Sequence, residues 1–317
     1  MRHVCLALLL LGALCGTSCR RDAVKGVYFD PAFAPLIPPD ATMLAGVRLE
    51  KIRATPLYKK YQDLIPLRLL DQFKEETGLD PQRDIWEMVI ARTPSDIMVF
   101  ARGHFTVGEL EPKLDPLGKN RVPYKGYTLV GNEQSAVTFL NPGVAAAGRL
   151  ASLKAMIDRR NNPAAFPAAL AARITTIPVD AQLWLVDSQG LPGIGLVAGR
   201  DDVSSILSNF QDYVSGLNMS AHIDEGIRYE ALVDCKSDEG VKRLKDALRG
   251  VIGFARLSTK PDQQDMLRLY DAIEVTPDQK SVRVTASVSP ELVPKLVGLA
   301  KEFRGTPDKG SPGAASQ

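Results

Sequence analysis

The chain has 317 residues, 45% of them apolar and 24% charged, with a mean hydropathy of −0.06. That is enough apolar surface to build a core and excludes disorder of the whole chain. The 39 Lys and Arg nearly balance the 37 Asp and Glu, which removes the usual electrostatic argument for nucleic acid. Beyond the amino terminus no segment approaches the roughly 20 apolar residues that span a bilayer.

At the start of the chain Arg2 supplies a positive region, and Val4 to Leu14 form an apolar run of signal-peptide length. Gly16, Thr17 and Ser18 then lead into Cys19. In these residues the chain resembles the type II signal peptides of bacterial lipoproteins. Their cleavage box is an aliphatic residue, two small residues and the cysteine that becomes the lipidated terminus. "GTSC" departs from that box at Gly16, where leucine is usual.

The resemblance implies loss of residues 1–18, lipidation at Cys19, and export to the cell envelope. The lipid would hold the protein on a membrane, facing the periplasm or the exterior. Gly16 and Ser18 also form a small-x-small site for ordinary signal peptidase, and either cut exports the protein. Cys5 and Cys15 leave with the leader, so a lipidated Cys19 leaves Cys235 with no intrachain partner. A Cys19–Cys235 disulfide is the rival account, disfavoured because Cys19 lies on a tail. Residues 19–38, proline-rich and without a period, predict a tether reaching roughly 60 Å.

"IPPDA" at 37–41 recurs as "IPVDA" at 177–181, each followed by a strand-like run. The recurrence predicts two related halves, 39–176 and 177–304. In the first, Leu57, Tyr61, Leu64, Ile65, Leu69 and Phe73 make a helical stripe that Pro66 kinks and Gly78 ends. Asp80 caps a short helix with Pro81 at its first position. "DIMVFARGHF", "YTLV" and "AVTFL" predict strands, and residues 149–160 a helix.

In the second half "GIGLVAG" predicts a strand and residues 201–217 a helix. "GIRYEALVDC" alternates as a strand, and Ser237 caps a helix buried along Val241, Leu244, Leu248, Val251 and Ile252. "SVRVTASVS" alternates cleanly, Ser289 and Pro290 open a last helix, and residues 305–317 predict a disordered tail. The fold class is α+β, with each half a mainly antiparallel sheet covered by helices. In this layout the chain resembles two-repeat α+β exported lipoproteins of unassigned function.

Motifs that carry chemistry are scarce. His104 and His222 lack metal-ligand spacing with each other or with Cys235, and read as surface or strand-end residues. Cys235 precedes a helix cap, but Asp234, Asp238 and Glu239 disfavour its thiolate. Gly193 and Gly195 fall inside a predicted strand, and Asp201 and Asp202 at the next helix start repel phosphate. No GxSxG or EF-hand pattern occurs. Trp86, Trp184 and Tyr229 are expected in the core.

Neither catalytic, cofactor-binding nor metal residues are therefore assigned, and Cys19 is the one predicted site. The expected function is binding or an accessory role in the envelope, with the membrane reached through the lipid and an envelope protein as partner. Two alternatives stand beside it. An exported hydrolase would place His104 or His222 against a carboxylate in a deep polar pocket. A carrier would hold a small apolar ligand in a dry cavity between the halves.

Overall fold

The two similar openings fold in the same way. Ala41 N–H donates to the Pro38 carbonyl at 3.1 Å, and Ala181 N–H to the Pro178 carbonyl at 3.1 Å. Each turn leads into a short apolar strand, β1 (Met43–Val47) and β8 (Leu183–Asp187). These two strands pair antiparallel, with Met43 opposite Asp187, Ala45 opposite Leu185 and Val47 opposite Leu183. The fold is taken from a computed structural model. It describes residues 26–27, 29–62, 80–105, 120–160, 162, 164–190, 210, 212–296 and 298.

Between β1 and β8 the chain forms α1 (Leu49–Ala54), α2 (Pro56–Tyr61), α3 (Pro81–Asp84), β2 (Ile85–Arg92) and β3 (Ile97–Gly103). Next come β4 (Arg121–Tyr124), β5 (Tyr127–Gly131), β6 (Ala136–Asn141), β7 (Val144–Gly148), α4 (Leu150–Arg159) and α5 (Ala168–Ile174). After β8 follow β9 (Val214–Ile223), β10 (Ile227–Cys235), α6 (Asp238–Leu257), α7 (Gln264–Asp271), β11 (Ile273–Asp278) and β12 (Ser281–Val288).

All pairings are antiparallel. They make one sheet of twelve strands, in the order β11-β12-β10-β9-β8-β1-β2-β3-β7-β6-β5-β4. The α+β class stands, but a separate sheet for each half does not. β1 and β8 would each be an exposed apolar edge alone, and pairing removes both edges.

Beyond the seam between β1 and β8 the same connections recur. β3 pairs with β7 and β10 with β12, the last strand of each side. The β2–β3 ladder shifts register between Ile85 and Glu87, and the β9–β10 ladder between Asp234 and Cys235, at the matching end of the hairpin. Past that end, Gly103 N–H donates to Gly143 O (3.1 Å) and His104 N–H to Asp84 O (2.7 Å). On the other side Cys235 N–H donates to Lys280 O and Lys236 N–H to Tyr213 O, both at 2.8 Å.

The core has two main layers. Leu44, Val89, Phe100, Trp184 and Val186 line one face, under α4, α5 and the segment from Val27 to Ile37. The stripe Leu150, Leu153, Met156 and Ile157 is what lets α4 lie there. The tether predicted for 19–38 is thereby corrected: Phe33 is 0% exposed and fixed among Phe29 and Phe100. On the opposite face Met43, Leu185, Leu217, Val233 and Val282 meet Val241 and Leu244 of α6.

Ser237 Oγ caps α6 by accepting from Gly240 N–H at 3.2 Å, as the sequence predicts. Of the stripe predicted through Ile252, Leu248 and Ile252 pack half-buried against the core, and Val251 does not. Val251 is 56% exposed, and Phe254 and Leu257 are 73% and 89% exposed. Residues 214–217, predicted as helix, are strand β9. The leader with Cys19, the stripe beyond Gln62, the 193–202 glycine and aspartate run, and the tail 305–317 lie outside the described residues.

Candidate functional site

On the second side of the sheet, the face that α4 and α5 cover on the first carries no helix among the described residues. Strand alternation there presents Asn218, Ser220 and His222 of β9, Arg228 and Glu230 of β10, and Thr285 and Ser287 of β12. The ladders set His222 beside Arg228, Ser220 beside Glu230, and Glu230 beside Thr285. With the returning segment Pro178–Ala181 as one wall, they enclose a groove of about 490 Å³. A smaller recess of about 150 Å³ continues it and shares Pro178, Ser220 and Glu230.

The groove is braced by ion pairs. Arg173, from α5, reaches Asp234 at 2.7 Å and donates to Asn218 Oδ1 at 3.0 Å. Asn218 Nδ2 in turn donates to Thr176 Oγ1 at 2.9 Å. Gly216 lies beneath that guanidinium, and a Cβ there would sit 1.8 Å from Arg173 Nη2, so a larger residue would displace the end of the arginine side chain. Arg283 bridges Glu230 and Asp278, the latter at 3.0 Å.

His222 Nδ1 lies 3.0 Å from Asp180 Oδ2 in the groove wall. Among the described residues its ring bonds to Asp180, with no hydroxyl joined to it. The pair is an oriented imidazole without a nucleophile. His104 stands exposed past the end of β3. Three strands separate β3 from β9, so the two histidines are not brought together. Cys235 is buried, and burial together with the Asp234 charge pushes its thiol up. No group of three His, Cys, Asp or Glu among the described residues is placed to hold a metal ion.

Trp184 and Tyr229 join the core as expected, whereas Trp86 is 41% exposed. At the seam between the halves, where the carrier alternative places its ligand, Met43, Leu44, Leu185 and Val186 are buried.

Sequence reading missed Glu87. It shares strand parity with the buried Val89 and Ala91, so a carboxylate at a core-facing position in "IWEMVIAR" was the available signal. Glu87 is 7% exposed and its Oε1 has no hydrogen-bond partner among the described residues. It floors a recess of about 160 Å³ whose other walls are Asp30, Arg48, Glu50, Lys51, Trp86 and Arg102. Arg102 is committed to Asp30 at 3.0 Å. Burial, reinforced by the Asp30 charge, raises the Glu87 carboxyl to about 7, although Arg48 and Arg102 oppose the shift.

No known protein family matches the chain. No curated protein matches it. Among solved structures it is similar to crystal forms of the treponemal protein TP0453. Form I is 10% identical over 87% of this chain and 98% of that one, with a TM-score of 0.47. Form III is 10% identical over 86% and 99%, with a TM-score of 0.48.

Proposed function

We propose that this chain is an exported binding or accessory protein of the bacterial envelope, held to a membrane by lipid on Cys19. It engages an envelope protein through the groove on the open side of the sheet. The observation that carries this reading is the face of β9, β10 and β12 that no described helix covers, most of whose alternate residues are polar and framed by ion pairs. A face of this composition solvates itself when free and offers donors and acceptors to a partner. The lipid reading rests on the residues around Cys19. No described helix is long and apolar enough to cross a membrane.

The same reading holds that the halves arose from one repeated unit. The matched turns at Ala41 and Ala181 support it, as do the register shifts at equivalent hairpin ends and the common strand connections. β4 and β5 are then additions to the first half.

Two experiments test the proposal. A photo-crosslinking residue at Thr285 or Ser287 should capture an envelope protein that the same residue at exposed Glu133, in the first half, does not. Equal capture from all three positions removes the groove as the docking site. Fatty-acid analogue labelling should occur in the wild type and vanish in Cys19→Ser; equal labelling removes the anchor.

A further inference from the structure

We propose that the recess floored by Glu87 binds a small zwitterion bearing an amino group and a carboxylate, its ammonium on Glu87 and its carboxylate between Arg48 and Lys51. The recess shares no lining residue with the groove, so the two proposals fail independently.

The argument begins with an unmet requirement. A buried carboxyl group whose Oε1 has no donor among the described residues is costly, and Glu87 lines a space large enough for a small molecule. A ligand N–H donor meets the requirement, and a charged one also offsets the burial of the carboxylate. Asp30 does not compete for the donor, because Arg102 already holds it at 3.0 Å.

The charges around the recess narrow the class further. Arg48, Lys51 and Arg102 stand against Asp30, Glu50 and Glu87. With Glu87 ionised the walls sum to zero, a balance that a net-neutral ligand preserves. A simple anion would meet Glu87 at the floor. A divalent cation needs several oxygen ligands, and three basic side chains crowd it. Lys51 is exposed at the mouth, and Arg48, which donates to the Val179 carbonyl at 3.2 Å and is engaged elsewhere as well, adds its positive charge to the wall. The half-exposed Trp86 ring supplies an apolar wall for the carbons between the two charges.

Binding should follow the ionisation of Glu87. The groups facing it are Asp30 on the amino-terminal segment, Arg48 before α1, Glu50 and Lys51 on α1, and Arg102 on β3. Glycine, 4-aminobutyrate and 6-aminohexanoate span a range of charge separation, and butyrate and butylamine are the single-charge controls. Isothermal titration of the full-length protein should find at least one amino acid binding in the millimolar range or tighter, about tenfold or more above both controls. With Glu87 raised to about 7, affinity should fall about tenfold or more from pH 8.5 to pH 5.5, as the floor gains a proton.

Glu87→Gln should abolish binding. Lys51→Ala, at an exposed position, should weaken it severalfold without altering the circular dichroism spectrum. Should Glu87→Gln not fold, Lys51→Ala and the pH series carry the test. The proposal is overturned if no amino acid binds, if butylamine binds as well, if pH has no effect, or if affinity survives either substitution.

Discussion

On the first side of the seam the sheet face bearing Leu44, Val89 and Phe100 lies under aromatic and aliphatic side chains from the amino-terminal segment, α4 and α5. On the second side the continuation of that face bears Ser220, Arg228, Glu230 and Thr285, polar side chains that line a groove with no helix over it among the described residues. The backbone ladders are alike, so the contrast is not one of strand pairing. It shows that cover, not connectivity, sets which residues a strand face carries. Where a helix lies above, the face is apolar; where no described helix does, it is built from ion pairs and hydroxyls. Glu87 breaks this division, a carboxyl on the covered side with an unpaired oxygen.

The strongest test of the comparison is at the cover itself. Phe33→Ala should cost about 3–5 kcal/mol in denaturant unfolding, the range for deleting a fully buried aromatic ring. A loss below about 1 kcal/mol would mean that the segment from Val27 to Ile37 is not part of the core.

The seam should respond nearly as strongly. Asp187 is buried and joined to Arg92 at 2.8 Å across β1. Burial pushes its carboxyl above the usual range, although the Gln189 amide and Arg92 hold it down. Asp187→Ala leaves Arg92 without its carboxylate and should cost about 3–5 kcal/mol. One unfolding transition should persist, because both halves share the sheet.

Glu87→Gln should stabilise, and only in one pH range. The folded carboxyl titrates near 7 rather than at its ordinary 4.5. The native state therefore keeps its proton while the unfolded chain loses it, and stability falls as pH rises from about 4.5 to about 7. The Gln variant escapes this loss. It should gain up to about 3 kcal/mol at pH 8 and nothing at pH 4. A gain independent of pH would place the cause elsewhere than in ionisation.

The smallest effect is expected at the far end of α6. Phe254→Ser should change stability by less than about 0.5 kcal/mol, because that ring is 73% exposed. A larger loss would show a contact made by Phe254 beyond those of the described residues.

How much was legible depended on where each side chain ends up. β10 and β12 alternate in sequence, and in β10 Ala231, Val233 and Cys235 are buried while the residues between them are half-buried, so its period could be read. Ser237 and Asp80 announced their helices, since a cap acts within one turn; Asp80 Oδ1 accepts from Gln82 N–H at 3.0 Å. β9 was misread. Its Gly216 packs under Arg173, 43 positions earlier in sequence, a contact that no local pattern shows. β2 was missed because Glu87 interrupts its apolar face. The Asp180–His222 pair joins a turn to a strand and has no local signature in the sequence.

The sequence by itself determined the α+β class, the matching openings, the caps and the alternating strands, because each arises from interactions within a few residues or from a short period. The tertiary structure alone decided that the sheet is continuous, that Phe33 belongs to its core and that Glu87 lies in a recess with an unpaired oxygen. Those outcomes depend on which distant surface covers a given strand, and backbone periodicity carries no record of that choice.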